Sequence, residues 1–174
     1  MRDFLFIHIN RTGGVSIRSV IAPYQQGSFT HQTLDTYGKN HDISSLYRFA
    51  FVRNPWDRMV SIYHRRKREG ILNTDFRNFV CSKGIQTRVP RRFTQINQLD
   101  WISLGGKLAV DFVGRFENLA EDWKRVACIL GLPELLPHEN ASQHDHYRTY
   151  YDKETKEIVS QQFQCDIEYF GYRF

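Results

Sequence analysis

The feature that most constrains this fold is an apolar run near the start of the sequence that ends abruptly in a polar loop. Phe4–Ile9 is almost wholly apolar and reads as a buried strand. Asn10–Gly14 is polar and ends in two glycines, and a helical pattern follows from Val15 to Ile21 before Pro23. Strand, glycine loop and helix in this order predict open backbone N–H groups at a helix N-terminus, where anions bind.

The residue types in this loop favour an oxyanion ligand. Adjacent glycines, Gly13 and Gly14, allow the main chain to approach the ligand closely. Arg11 adds a positive charge, and Thr12 and Ser16 can add hydroxyl donors. We therefore predict a phosphate-binding loop after the first strand.

Later segments continue the alternation of strands and helices. Tyr47–Val52 reads as a second strand, and Pro55 suits the first turn of the helix after it. Residues 71–105 read as mostly helical. Leu108–Phe116 reads as a third strand, followed by a helix that Asn118 could cap.

This pattern predicts an α/β fold with a single domain over residues 1–174. Its parallel β-sheet is flanked by helices, and a P-loop-like phosphate-binding loop follows the first strand. Ligands of such sheets bind beyond the carboxyl ends of the strands. Arg11, Arg53 and Arg115 each follow or end a predicted strand, so we expect them at one edge of the sheet.

Composition narrows the ligand class without choosing within it. The net charge of +5 suits an anionic ligand, whether a nucleotide, an acidic glycan or a nucleic acid. We expect neither a membrane span nor a secretory signal. Three widely separated cysteines argue against a disulfide framework, so we expect the protein to be cytoplasmic.

Four stretches of the sequence carry a family resemblance. They are Phe6–Ser16, Phe49–Tyr63, Asp111–Leu119 and Asp166–Tyr172. Together they resemble the sulfotransferases, specifically the carbohydrate sulfotransferase-like branch. The resemblance spans nearly the whole chain in the expected order, and the second stretch is the most specific.

The resemblance implies a sulfuryl donor, 3′-phosphoadenosine 5′-phosphosulfate (PAPS), and no metal. It implies donor contacts from two matching motifs and a later loop: Arg11, Thr12, Gly13, Gly14, Val15 and Ser16 at the 5′-phosphosulfate, Arg53 and Ser61 at the 3′-phosphate, and Tyr147 and Arg148 over the nucleotide. The family usually places lysine where this chain has Arg11, and threonine or serine where it has Val15. Arginine still stabilises negative charge, but it does not readily donate a proton.

Candidate acid–base and acceptor residues follow from the same comparison. His31 falls between the two phosphate motifs, where family members often carry a catalytic histidine, and imidazole titrates near neutral pH. We expect His31 to be the base and to contact the acceptor, with Arg115 a further substrate contact. His8 alternates with apolar residues and is expected to be packed. The histidines at 138, 144 and 146 lack the ligand spacing of a metal site.

The expected reaction is transfer of a sulfuryl group to a hydroxyl of a carbohydrate or small molecule. One alternative is a relative that binds the nucleotide without turnover, which Arg11 keeps open. Another is a P-loop-like phosphotransferase, disfavoured because the glycine-x4-glycine-lysine-Ser/Thr spacing is absent. Nucleic-acid binding through the arginine clusters is not expected, and would give strong salt dependence.

Overall fold

The computed structural model describes residues 2–24, 31–81, 97–137 and 145–174. They fall into two compact units: a strand unit within Met1–Arg53 and Gln98–Ala141, and a helical unit within Asn54–Asn97 and Ser142–Phe174. The elements in chain order are β1 (Phe4–Ile7), α1 (Gly14–Ile21), α2 (Leu34–Asn40), β2 (Tyr47–Val52), α3 (Pro55–Arg68), α4 (Phe76–Cys81), α5 (Gln98–Trp101), β3 (Ser103–Leu104), β4 (Lys107–Leu108), β5 (Phe112–Arg115), α6 (Leu119–Leu130), α7 (Lys153–Gln162) and α8 (Gln164–Phe170). Short 3-10 turns cover Phe116–Asn118 and Tyr147–Tyr150.

The strand unit is built on a parallel sheet of three strands in the order β1-β2-β5. Phe49 in β2 lies opposite Phe6 in β1 and Phe112 in β5, and Val52 lies opposite Arg115. Parallel strands bring their carboxyl ends to one edge, so the segments after β1, β2 and β5 all start there. The predicted α/β class with a parallel sheet is confirmed.

Alternation along the strands divides the core between the two faces of the sheet. One face packs against α1 and α6 in a cluster of buried apolar residues: Phe6, Ile17, Ile21, Tyr47, Phe49, Phe51, Trp123, Val126, Ala127, Leu130 and Leu132. The alternate strand residues point to the opposite face and are also buried: Leu5, Ile7, Ala50 and Val52. Parallel strands buried on both faces read as near-continuous apolar runs, which is the pattern seen in the sequence.

The third predicted strand, Leu108–Phe116, is wrong in its boundaries. Its first residue belongs to the β3–β4 hairpin, where Gly105 and Gly106 adopt positive φ values of 56° and 76°. Such glycines form tight two-residue hairpin turns. The hairpin also replaces the end of the helical stretch predicted for residues 71–105. Only Phe112–Arg115 joins the parallel sheet.

Asn118 does not cap α6 with its side chain, contrary to the sequence interpretation. Its amide Nδ2 instead donates to Asp122 Oδ1 at 3.1 Å, within the first turn of the helix. At the other end of α6, Gly131 adopts a left-handed conformation that terminates the helix.

In the helical unit, capping residues fix where the helices begin. Asn54 Oδ1 accepts from the Trp56 N–H at 3.0 Å, and Pro55 occupies the first turn of α3. Asp152 caps α7 in a capping box with Thr155. The sequence interpretation had no counterpart of α8. No described helix is long and apolar enough to cross a bilayer. The single domain over residues 1–174 stays a prediction.

Candidate active site

The loop after β1 is shaped by two left-handed residues. Arg11 has a φ of 67° and Gly13 a φ of 85°, and α1 begins immediately afterwards at Gly14. The left-handed region suits glycine and costs other residues about 1 kcal/mol. These turns lead the chain sharply from the strand into the helix, whose first N–H groups lack acceptors within the helix.

Both glycines of the loop are required by close neighbours. A Cβ at Gly13 would lie 2.8 Å from Leu119 Cδ2, in addition to its unfavourable φ. A Cβ at Gly14 would overlap the imidazole of His8. The glycine pair therefore allows the loop to pack onto its own unit.

The three other side chains of the loop differ in what they can offer a ligand. Thr12 is fully buried, and its hydroxyl donates to the Ile9 carbonyl at 2.8 Å. In this conformation Thr12 can donate to a ligand only through its main-chain N–H. Ser16 is buried, whereas Val15 is 43% exposed and offers only its N–H as a polar donor. Their roles in donor binding stay predictions.

Arg53, directly after β2, is held by the side chain of Gln98 from α5. Gln98 Oε1 accepts from the Arg53 N–H at 2.9 Å, and Gln98 Nε2 donates to the Arg53 carbonyl at 2.8 Å. Gln98 is fully buried and Arg53 is 5% exposed. One amide thus pairs both main-chain groups of Arg53 just beyond the end of the strand.

The guanidinium of Arg53 reaches the loop after β1. Its Nη1 donates to the Arg11 carbonyl at 3.2 Å, and its Cζ lies 3.9 Å from the centre of the Phe116 ring. This stacking is a favourable cation–π contact. The two segments that the sequence interpretation assigned to phosphate binding therefore meet, as expected for the ends of adjacent parallel strands.

His31 lies against His8 in the same unit. Its Nδ1 is 2.9 Å from the His8 carbonyl, and the two imidazole centres are 4.3 Å apart. Burial lowers the pKa of His8 from 6.5 to about 3, with smaller effects from the nearby His31 and Arg18. His8 is therefore a packed neutral residue, as its alternation in the sequence indicated.

Arg115 ends β5 at the same sheet edge as Val52, with which it is in register. Its main-chain N–H donates to Asp122 Oδ2 at 2.8 Å, and its side chain is exposed. The buried carboxylate of Asp122 thus ties the end of the strand to the first turn of α6. A substrate contact by Arg115 stays a prediction.

Three further predicted site residues belong to the helical unit. Ser61 is fully buried on α3. Tyr147 and Arg148 lie in a 3-10 turn, where the Tyr147 ring packs at 5.6 Å against Phe174 and the Arg148 guanidinium lies 5.7 Å from that same ring. Their contacts with a nucleotide stay predictions made from the family resemblance.

Two further features of the sequence are the three late histidines and two basic clusters, residues 65–68 and 88–92. Of the three late histidines only His146 is described, and its Nδ1 accepts from the Arg148 N–H at 3.4 Å. Among the described residues, no group of three or more histidine, cysteine or carboxylate side chains could hold a metal ion. In the first basic cluster Arg66 is buried against Phe79, and the second, residues 88–92, lies outside the described residues.

Comparison with known proteins assigns the family. The model of the sulfotransferase family matches residues 8–173. The chain belongs to this family. It is also 38% identical over 104 residues to an uncharacterised protein of Archaeoglobus fulgidus, a match that covers 58% of this chain and 81% of that one. The structure is similar to that of a sulfotransferase from Alicyclobacillus acidocaldarius, with 20% identity and a TM-score of 0.47; the match covers 76% of this chain and spans 55% of that protein.

Within this sulfotransferase-family chain, three neighbours of the predicted site residues were missed by sequence reasoning. They are Gln98 on Arg53, Phe116 under the Arg53 guanidinium, and Asp122 on Arg115. Gln98 is distant from Arg53 in the chain and Phe116 lies in a 3-10 turn, whereas Asp122 lies in α6, close to Arg115 in sequence. Asp122 carries a weak signal, because acidic residues favour the first turn of a helix. Gln98 carries none.

Proposed function

We propose that this protein transfers a sulfuryl group from 3′-phosphoadenosine 5′-phosphosulfate to a hydroxyl group, with a carbohydrate as the expected acceptor. Family membership supports sulfuryl transfer in general. The observation that carries the finer proposal is the bond from Arg53 Nη1 to the Arg11 carbonyl. It joins the glycine loop at the start of α1 to a buried guanidinium, so the two elements that we propose to bind anions are neighbours, as a ligand with two phosphate groups requires.

The residues of the strand unit fit the anionic groups of such a donor. The N–H groups at the start of α1 and the Arg11 side chain would hold the 5′-phosphosulfate. Arg53 would hold the 3′-phosphate through charge-assisted hydrogen bonds, strengthened by its low exposure. When bound, the donor supplies an activated sulfuryl group on a phosphate leaving group.

The chain's own contribution to the transfer is proton removal and charge stabilisation. His31 Nε2 takes the proton of the acceptor hydroxyl as the acceptor oxygen bonds to sulfur and the bond from sulfur to the phosphate oxygen breaks. Arg11 and the α1 amides stabilise the negative charge that develops on the phosphate. The products are a sulfate ester and 3′-phosphoadenosine 5′-phosphate.

Calorimetry and a transfer assay test this proposal together. We expect 3′-phosphoadenosine 5′-phosphate to bind about 10- to 100-fold more tightly than AMP, because Arg53 adds a charge-assisted bond. Arg53→Met should remove this difference, whereas Arg48→Met, within the preceding strand β2, should preserve it. Equal affinities for the two nucleotides would exclude the 3′-phosphate role of Arg53.

Turnover separates an enzyme from a relative that only binds the nucleotide, the alternative that Arg11 keeps open. Wild-type protein should transfer labelled sulfate to at least one member of a panel of glycans and small alcohols. His31→Ala should lower kcat by about 10²- to 10⁴-fold and leave nucleotide affinity unchanged. Tight binding of the nucleotide without transfer to any acceptor would favour binding without turnover.

A further inference from the structure

The His8 imidazole contacts both the glycine loop and His31. Its Cδ2 and Nε2 occupy the place that a Cβ of Gly14 would take. Its centre is 4.3 Å from that of His31, with 39° between the ring planes. A single buried ring, 5% exposed, therefore contacts both the first residue of α1 and the proposed base.

The main chain of His8 also determines which nitrogen of His31 carries its proton. A carbonyl oxygen can only accept, so the 2.9 Å contact requires a proton on His31 Nδ1. In the neutral imidazole the lone pair then lies on Nε2. Side chain and main chain of His8 thus act on the same neighbour, one through ring packing and the other through the hydrogen bond.

We propose that His8 is a positioning residue, which sets the distance and the tautomer of His31 relative to the Gly13–Gly14 loop. This inference rests on the proposed function, in which His31 is the base and the loop holds the reacting end of the donor. In-line transfer needs these two groups at a fixed separation, and an error of about 1 Å can cost on the order of 100-fold in rate. A buried ring in contact with both groups fixes that separation.

A histidine suits this place because burial keeps it neutral. The charged or titratable groups that face His8 are Arg18 from α1 and His31, and both disfavour a second positive charge. On its other side His31 meets the edge of Trp101 from α5, with ring centres 6.5 Å apart, and that indole does not titrate. His31 can therefore accept a proton without a charged ring stacked against it.

The first test compares His8→Ala, which keeps the carbonyl and removes the ring, with His8→Phe, which keeps a flat ring. Phe4→Ala is the matched control, since it removes an aromatic ring from the same strand that packs on Phe49 instead. Ring ¹⁵N chemical shifts give the tautomer of His31, and steady-state kinetics separate kcat from KM. Thermal unfolding confirms that each variant is folded at the assay temperature.

We expect the Nδ1–H tautomer in wild type. His8→Ala keeps the carbonyl but removes the ring that packs His31 against it, so we expect a shift toward a mixed population in that variant. In that variant kcat should fall on the order of 100-fold with KM nearly unchanged. His8→Phe should recover most of the loss in kcat, and Phe4→Ala should show none. If His8→Ala keeps the ring ¹⁵N shifts of the wild type and has the same kcat as Phe4→Ala, His8 is only a packing residue and the proposal is overturned.

A second test uses the contact with Gly14. Gly14→Ala should lower Tm on the order of 5 °C because its methyl group overlaps the His8 ring. Combined with His8→Ala, the same substitution should cost almost nothing, since the ring is gone. If the losses in Tm of the two single variants add up in the double variant, the His8 ring does not contact the loop closely enough to constrain it.

The two experiments also separate this inference from the proposed function. If no acceptor is sulfated, the proposed function fails, but the tautomer of His31 and the Gly14→Ala combination still report whether His8 positions its neighbours. If transfer occurs and these readouts do not move, the positioning role fails alone.

Discussion

The loop after β1 and the turn after β2 each place an arginine at the end of a buried strand, but they hold it differently. Arg11 stands in a left-handed conformation within a loop shaped by its own main chain and by a glycine pair. Arg53 has its main-chain groups paired by Gln98 and its guanidinium stacked on Phe116. The first segment depends on backbone conformation and the second on side chains from elsewhere in the unit.

The difference shows what each segment can tolerate. In the segment after β1, which depends on the main chain, the critical residues are the glycines, and a methyl group in their place is enough to disturb the loop. In the segment after β2, which depends on side chains, the critical residues are the partners that satisfy buried polar groups. Substitutions of the two kinds should therefore fail in different ways, and pH, which acts on His8 but not on an arginine, should separate them.

The largest expected effect is that of acid on the segment after β1. The pKa of His8 lies near 3 in the folded protein, below its ordinary value of 6.5, so between these values the unfolded chain takes up the proton and the folded protein does not. The free energy of unfolding should thus fall by about 1.4 kcal/mol per pH unit as pH drops from 6.5 towards 3, and stay flat above 6.5.

Urea unfolding of wild type and His8→Phe over this range measures the effect. The stability difference between them should change by about 3 kcal/mol between pH 6.5 and pH 4.5, in favour of the phenylalanine variant. If the free energy of unfolding changes with pH in the same way in both proteins, the His8 imidazole protonates in the folded state as readily as in the unfolded chain.

The segment after β2 should instead be destabilised by loss of the Gln98 side-chain amide, which bonds both main-chain groups of Arg53. Gln98→Ala leaves the buried N–H and carbonyl of Arg53 without their partner, so the free energy of unfolding should fall by about 2–3 kcal/mol at any pH where the protein is stable. Gln161→Ala, which removes an exposed hydrogen bond to Glu157, is the control and should cost at most about 0.5 kcal/mol. Equal losses of unfolding free energy in Gln98→Ala and Gln161→Ala would show that Gln98 does not hold the main chain of Arg53.

The parts of the fold that the sequence predicted well are those set by local pattern. Continuous apolar runs predicted β1 and β2, and Pro55 predicted the start of α3. That the two arginine segments meet followed from a topological rule, because parallel strands end at one edge. The family followed from motifs of the same local kind.

Tertiary placement decides the rest, and the local sequence carries little of it. Gln98 is 45 residues from Arg53, and no pattern in the sequence marks it as the partner of the Arg53 main chain. The overlap between His8 and Gly14 depends on how sharply the loop returns towards the strand. The third strand was misplaced because Leu108, the first residue of an apparently continuous run, pairs back across the turn at Gly105 and Gly106, whereas only Phe112–Arg115 pairs with β2.

The smallest expected effect concerns the charge in the loop after β1. Arg11→Lys keeps the charge, and the bond from Arg53 goes to a main-chain carbonyl that the substitution retains. Activity should therefore be retained or raised, because an ammonium can also stabilise the leaving phosphate and donate a proton, whereas Arg11→Met should lower kcat by about 10²- to 10³-fold. The comparison uses kcat at saturating donor, with nucleotide affinity measured for each variant. An inactive Arg11→Lys would mean that a planar guanidinium is needed there, so the loop, like the turn after β2, would depend on a particular side chain as well as on its backbone.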